Sequence, residues 1–230
     1  MTSLKPIVRR STEAIATESV REYILGGRAP AGSRLTELGL SESLQISRGT
    51  VRSALQRLTS EGLVRLVPYT GWEVTQLTGQ DVWELYTLRA SLEVLAARLA
   101  AHKMTDERRD ELRDAFDRLS DACKTGSARR ISDSDYAFHQ LIVLSAGHQR
   151  LREQYRLIEQ QIRLVIASSN ALIGEPAEIL QQHRPLLRAL VAGNADSASS
   201  LIEEHALGEG EKLRSVLEQT LPVASNLRSK

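Results

Sequence analysis

Four side chains able to hold a metal ion fall inside apolar stripes of the chain. Asp135 and His139 are four residues apart, so both project from one face of a helix. Phe138, Ile142 and Ala146 share that face and turn it inward. His183 lies among Ile179, Leu186, Leu187 and Leu190, and His205 lies among Ala198, Leu201 and Ile202. A buried carboxylate with nothing to neutralise it is costly, and so is an unpartnered buried imidazole. A single inward histidine is more often a satisfied core residue than a ligand. Four such groups facing one interior reverse that balance. One divalent transition metal, held by three neutral imidazoles and one carboxylate, would satisfy all of them. The ligand set suits zinc first and also admits nickel, manganese or iron. His102 and His148 fall at helix ends and are read as ordinary.

A second pair is out of place on an apolar face. Val82, Leu85, Leu92 and Ala96 define the inner side of a helix, and Arg89 and Glu93 sit in the same stripe. They form either a buried i,i+4 ion pair or a site in which Arg89 faces a cavity and offers its fork to a ligand carboxylate.

The elements that must position these groups are helical. From Thr78 onward the pattern predicts six helices, at 79–102, 105–123, 128–146, 149–171, 176–192 and 195–220. Breaks fall at Gly126, Gly147, Gly174-Glu175-Pro176 and Gly193-Asn194, and the tail after Pro222 is expected to fray. Loops this short favour antiparallel neighbours, hence a bundle of about six helices.

The N-terminal third reads differently. Ser11-Thr12 caps a first helix with Ile15, Val20 and Ile24 as its inward positions, and Gly26-Gly27 ends it. A short helix follows Thr36 and runs to about Leu44. Ser47 then caps a third, from Arg48 to Glu61, stopped by Gly62. Leu63–Val67 and Trp72–Val74 are β-prone runs around Pro68-Tyr69-Thr70-Gly71, the pattern of a hairpin. Three helices and a hairpin make a winged helix-turn-helix. The expected fold is therefore mainly α, with a small β wing at the N-terminus and an antiparallel bundle behind it.

The third helix has two faces. Val51, Ala54, Leu55 and Leu58 form its apolar stripe, while Arg48, Arg52 and Gln56 lie four apart on a neighbouring face beside Gly49 and Ser53. Long donors at the N-terminal end of a helix suit major-groove entry, where arginine reaches guanine bidentately. The bland alternative is a solvated charged face; the neighbouring helix and wing favour DNA.

Composition agrees without deciding the matter. The chain has 230 residues, 41% hydrophobic and 26% charged, as in an ordinary globular protein. No stretch approaches the ~20 apolar residues a membrane span needs, and no N-terminal signal run is present, so a cytoplasmic protein is expected. Residues 1–77 carry ten Lys/Arg against seven Asp/Glu, a charge of +3, leaving −2 for the remainder. The single Cys123 allows no internal disulfide.

Motif by motif, the N-terminal part resembles the GntR superfamily and its FadR-like group. The matching residues are Arg34-Leu35-x-Glu37, Leu40-Ser41, Leu44 and Ser47-Arg48-x-x-Val51-Arg52-x-Ala54-Leu55-x-x-Leu58. Glu61-Gly62-Leu63-Val64 and the wing Pro68-x-x-Gly71-x-x-Val74 complete the pattern. The resemblance implies a DNA-contacting set of Arg34, Ser47, Arg48, Gly49, Thr50, Arg52, Gln56 and Gly71. In it Arg48 and Arg52 meet bases or adjacent phosphates, Thr50 lies near the backbone, and Gly71 lets the wing approach the minor groove. Gly49-Thr50 replaces the common Thr-Pro pair, Gln45 stands where a turn glycine is usual, and Thr70 replaces a basic residue.

The C-terminal part resembles the FCD effector domain of the same regulators. There an Asp-x-x-x-His helix joins histidines from two later helices around a metal, and the matching residues are Asp135, His139, His183 and His205. Six helices look more like the VanR-type branch than the seven-helix acyl-CoA-binding branch, which lacks the metal. FCD proteins commonly sense small organic acids, which gives Arg89 a role in effector binding.

These readings imply a DNA-binding domain at 8–77 and an effector-binding and dimerisation domain at 78–221. They imply a homodimer that represses from a pseudo-palindromic double-stranded operator until a small organic acid binds at the metal. A metal-responsive regulator without an organic effector is the alternative. A metal-dependent enzyme fused to a DNA-binding module is disfavoured, because no acid or base at a convincing spacing accompanies the ligands.

Overall fold

The computed structural model describes residues 10–173 and 175–220. The break at Gly174, the tail after Pro222 and positions 8, 9 and 221 lie outside them. The chain divides into two compact units, Met1–Gln76 and Leu77–Lys230.

In the first unit, α1 (Thr12–Leu25) is capped by Ser11, whose hydroxyl accepts the Ala14 N–H. Its inward stripe runs through Ala16, Thr17, Val20 and Ile24, while Ile15 is 52% exposed. Ile15 was expected to face inward. Ala16 and Val20 are four apart and share the buried side, so Ile15 is rotated off it. The short α2 (Glu37–Leu44) starts on the Thr36 cap, and α3 (Arg48–Ser60) starts on Ser47. Between them Gln45 adopts φ +54°, the left-handed turn that glycine usually supplies. The Ser41 hydroxyl donates to the Ile46 carbonyl and ties this turn together.

The wing is one strand larger than expected. β1 (Arg34–Leu35) joins β2 (Val64–Val67) and β3 (Gly71–Val74) in an antiparallel sheet of order β1-β3-β2. Arg34 lies opposite Glu73 and Leu35 opposite Trp72. A two-residue strand has too little pattern to be read from sequence; its pairing with β3, remote in the chain, makes it a strand. Val51, Leu55 and Leu58 of α3 and Leu63, Val64 and Val74 are all buried, and α3 packs on β2. Arg21 holds the end of α3 from α1 through two bonds to Glu61, at 2.9 and 2.7 Å.

The second unit contains seven helices among the described residues: α4 (Gly79–His102), α5 (Asp106–Thr125), α6 (Ala128–Ser145), α7 (Gln149–Leu157), α8 (Glu159–Asn170), α9 (Pro176–Val191) and α10 (Ala195–Thr220). The segment expected to be one helix over 149–171 is broken at Ile158, which has φ −108° and ψ 6°. No glycine or proline marks that point. The bend lets Tyr155 reach Glu93 on one side while Ile162 and Val165 are fully buried on the other. Helix number therefore does not separate the two branches named above. The α4–α10 pair is the most extensive packing in the unit.

Candidate functional site

The exposed end of α3 carries the first set of site residues. Ser47 accepts the Thr50 N–H at 3.2 Å and lies 2.9 Å from the Thr50 hydroxyl, so cap and first turn are locked together. Arg48, Gly49, Arg52 and Gln56 are all exposed. The structure gathers Arg48 and Arg52 around one carboxylate, that of Glu37. Arg52 grips it bidentately at 2.8 and 2.9 Å, and Arg48 approaches to 3.7 Å. The Trp72 indole N–H donates to the same group at 3.2 Å, which links the wing to α2. Bonds from Arg52, with help from Trp72 and the charge of both arginines, hold the Glu37 carboxyl at about 2. Gly71 has φ +100°, a conformation that suits glycine, and the Arg34 guanidinium lies nearby. Glu37 belongs to the sequence motif, but its contacts are not legible there, because they join residues 15 and 35 positions apart.

The second set converges inside the helical unit. Asp135 and His139 project from α6, His183 from α9 and His205 from α10, and the three histidines bring one nitrogen each within 4.8 Å of one another. His139 Nε2 lies 3.2 Å from His183 Nε2, and Asp135 Oδ1 lies 3.2 Å from His183 Nε2 and 3.4 Å from His139 Nε2. His205 stacks on His139, with ring centroids 5.2 Å apart and planes 10° from parallel. Asp135, His139 and His183 are buried; His205 is partly exposed.

The far nitrogens fix the tautomers. His183 Nδ1 donates to the Ile179 carbonyl at 2.7 Å, since that oxygen only accepts. His139 Nδ1 donates to Glu93 Oε2 at 3.0 Å. In the neutral state both Nε2 atoms then carry lone pairs aimed at each other and at a carboxylate oxygen. A cation satisfies such a centre, either a proton on His183 Nε2 shared with Asp135 or a metal ion, and three imidazoles beside a carboxylate are a donor set that a divalent metal can use. Asn170 donates to Asp135 Oδ2 at 2.8 Å and fixes that carboxylate too.

The electrostatics differ from ring to ring. Burial alone would raise the Asp135 carboxyl, but the surrounding imidazoles outweigh it and hold the group well below the carboxylate range. Burial pushes His139 and His205 down, favouring neutral rings. It also acts on His183, yet Asp135 overrides it and raises that ring.

Arg89 is 1% exposed and bonds Glu93 through Nε at 2.9 Å, so the ion-pair arrangement is present. Its Nη2 has no hydrogen-bond partner among the described residues. Tyr155 and Asn170 gave no signal in the sequence, because each meets its partner across helices. An open cavity of about 340 Å³, lined by Gln182, Pro185, Leu201, His205, Glu209 and Lys212 among others, reaches the cluster at His205. A cavity of about 500 Å³ around His148 and Arg152 touches none of the expected site residues.

Comparison with known proteins assigns both units. Residues 12–74 match the bacterial regulatory proteins of the gntR family, and residues 84–208 match the FCD domain. A Paenarthrobacter nicotinovorans protein described as "Probable D-xylose utilization operon transcriptional repressor" is 29% identical over 203 residues, 86% of this chain and 88% of that one. The gluconate operon transcriptional repressor of Bacillus licheniformis is 26% identical over 197 residues, 84% of this chain and 81% of that one. Escherichia coli McbR/YncC shares the fold, with TM-score 0.73 at 23% identity over 92% of this chain and 99% of that one. The two operon repressors are transcription regulators and not enzymes. The chain belongs to the gntR family of bacterial regulatory proteins and carries an FCD domain C-terminal to its winged helix.

Proposed function

We propose that this regulator is a homodimeric repressor that leaves a pseudo-palindromic operator when a small organic acid binds at a metal in its FCD domain. In this reading 8–77 bind DNA and 78–221 bind effector and dimerise, in the cytoplasm. Among the described residues no helix is long and apolar enough to cross a membrane. Arg48 and Arg52 would read bases or adjacent phosphates, with Arg34, Ser47, Gly49, Thr50, Gln56 and Gly71 completing the DNA face. Asp135, His139, His183 and His205 would hold one divalent ion, zinc first among zinc, nickel, manganese and iron. Held there, such an ion would supply a Lewis-acid centre for a carboxylate. The cavity at His205 would give that carboxylate a route to the cluster; Arg89 does not line it, and its buried Nη2 would serve as a donor only to an acid that reaches further in. By linkage, an acid that binds the DNA-free form better lowers operator affinity.

The observation that carries this reading is the convergence of His139 Nε2, His183 Nε2 and Asp135 Oδ1 within 3.4 Å of one another, with His205 beside them. One observation favours a regulator that answers to metal alone: Arg89 is already paired with Glu93. Binding to duplexes enriched by the protein from a random pool separates the two, measured after chelation, after metal is restored, and then with added acids. Metal dependence without any response to acids supports the second reading; indifference to both sinks each of them.

A further inference from the structure

The two oxygens of Glu93 face different partners. Oε1 accepts from Arg89 Nε at 2.9 Å and from the Tyr155 hydroxyl at 2.8 Å. Oε2 accepts the Nδ1 hydrogen of His139 at 3.0 Å. Glu93 is 0% exposed and comes from α4, an element that supplies none of the four expected ligands. A carboxylate buried this deeply is unfavourable unless its charge is matched and its lone pairs are filled, and here both conditions are met. A plain Arg89–Glu93 ion pair would need only Oε1. The second oxygen is turned to the far nitrogen of an imidazole whose other nitrogen points into the cluster. That placement selects one tautomer, fixes the ring's rotation and raises the basicity of the inward nitrogen.

We infer that Glu93 is a positioning residue of the metal centre, holding His139 with Nε2 directed inward, and that Arg89 and Tyr155 serve to hold Glu93. This rests on the metal reading above. It gives Arg89 a place in the site through Glu93, whether or not an acid ever reaches its free Nη2.

The test uses the full chain and Co(II), whose absorption bands report ligand number and geometry. Affinity is measured by chelator competition for the wild type, for Glu93→Gln and for the double variant Arg89→Met/Glu93→Gln. The double variant removes both buried charges together, so it keeps the question open to measurement if the single one does not fold. The wild type is expected to bind one Co(II), and each folded variant to bind it roughly 10–100-fold more weakly with displaced bands. A folded variant with wild-type affinity and spectrum overturns the inference. So does failure of both variants to fold, which would make the role structural. If the wild type itself takes up no Co(II), the metal reading falls and this one falls with it, an outcome recognisable because no variant is involved.

Discussion

His139 Nε2 and His183 Nε2 stand 3.2 Å apart, with the Nδ1 of each directed to a separate acceptor. With both rings neutral, two lone pairs at that distance beside the Asp135 carboxylate are relieved by a metal cation. A divalent metal is therefore expected to stabilise the folded chain. At about 100 times its dissociation constant the gain is about 2.7 kcal/mol, or roughly 5–11 °C in thermal midpoint for a chain of this size. A chelator should reverse the shift, and His183→Ala should abolish it. A midpoint indifferent to zinc, nickel, manganese and iron would count against the site.

Arg48→Ala and Arg52→Ala should each weaken binding to an enriched duplex by about 1–3 kcal/mol. A salt series sorts their roles. Loss of a phosphate contact flattens the salt dependence and weakens all sequences alike, whereas loss of a base contact relaxes preference at one position. Unchanged affinity in both variants would remove α3 as the reading element.

Glu37 makes the acid limb of the first unit testable. Its folded value of about 2 lies below the ordinary 4.5, chiefly through the bonds from Arg52. A depressed carboxyl stabilises above its unfolded value, and that contribution is lost as pH falls from about 4.5 toward 2. Trp72 fluorescence in a Trp83→Phe background follows this unit. The midpoint gap between wild type and Glu37→Gln should be widest near neutral pH and close across that window. A gap that grows on acidification contradicts the arrangement.

Two glycines of α10 should respond in opposite directions. A Cβ at Gly210 would sit 2.6 Å from Cγ of Tyr86, a ring that is 1% exposed in the α4–α10 contact. Gly210→Ala should therefore cost about 1–3 kcal/mol. A Cβ at Gly208 meets nothing within 4 Å among the described residues. Gly208→Ala should gain about 0.5–1 kcal/mol by restricting the unfolded chain and favouring helix. Urea unfolding checks both, and equal effects would mean that the Tyr86 contact has been misjudged.

What the sequence determined by itself was local. Ser11, Thr36 and Ser47 cap the helices they precede, because a cap needs only its own hydroxyl and an N–H three residues on. Asp135 and His139 share a face because helical period alone puts residues four apart on one side. Tertiary structure decided the contacts that close between elements. It paired β1 with β3, bent the chain at Ile158, turned Ile15 outward, gave Arg48 and Arg52 a common counter-ion in Glu37, and set Asn170 behind Asp135. Spacing along a helix says which way a side chain points, but packing decides what it meets there. For that reason the inward stripe of α4 was legible, while the turn of Glu93 Oε2 toward His139, 46 residues away, was not.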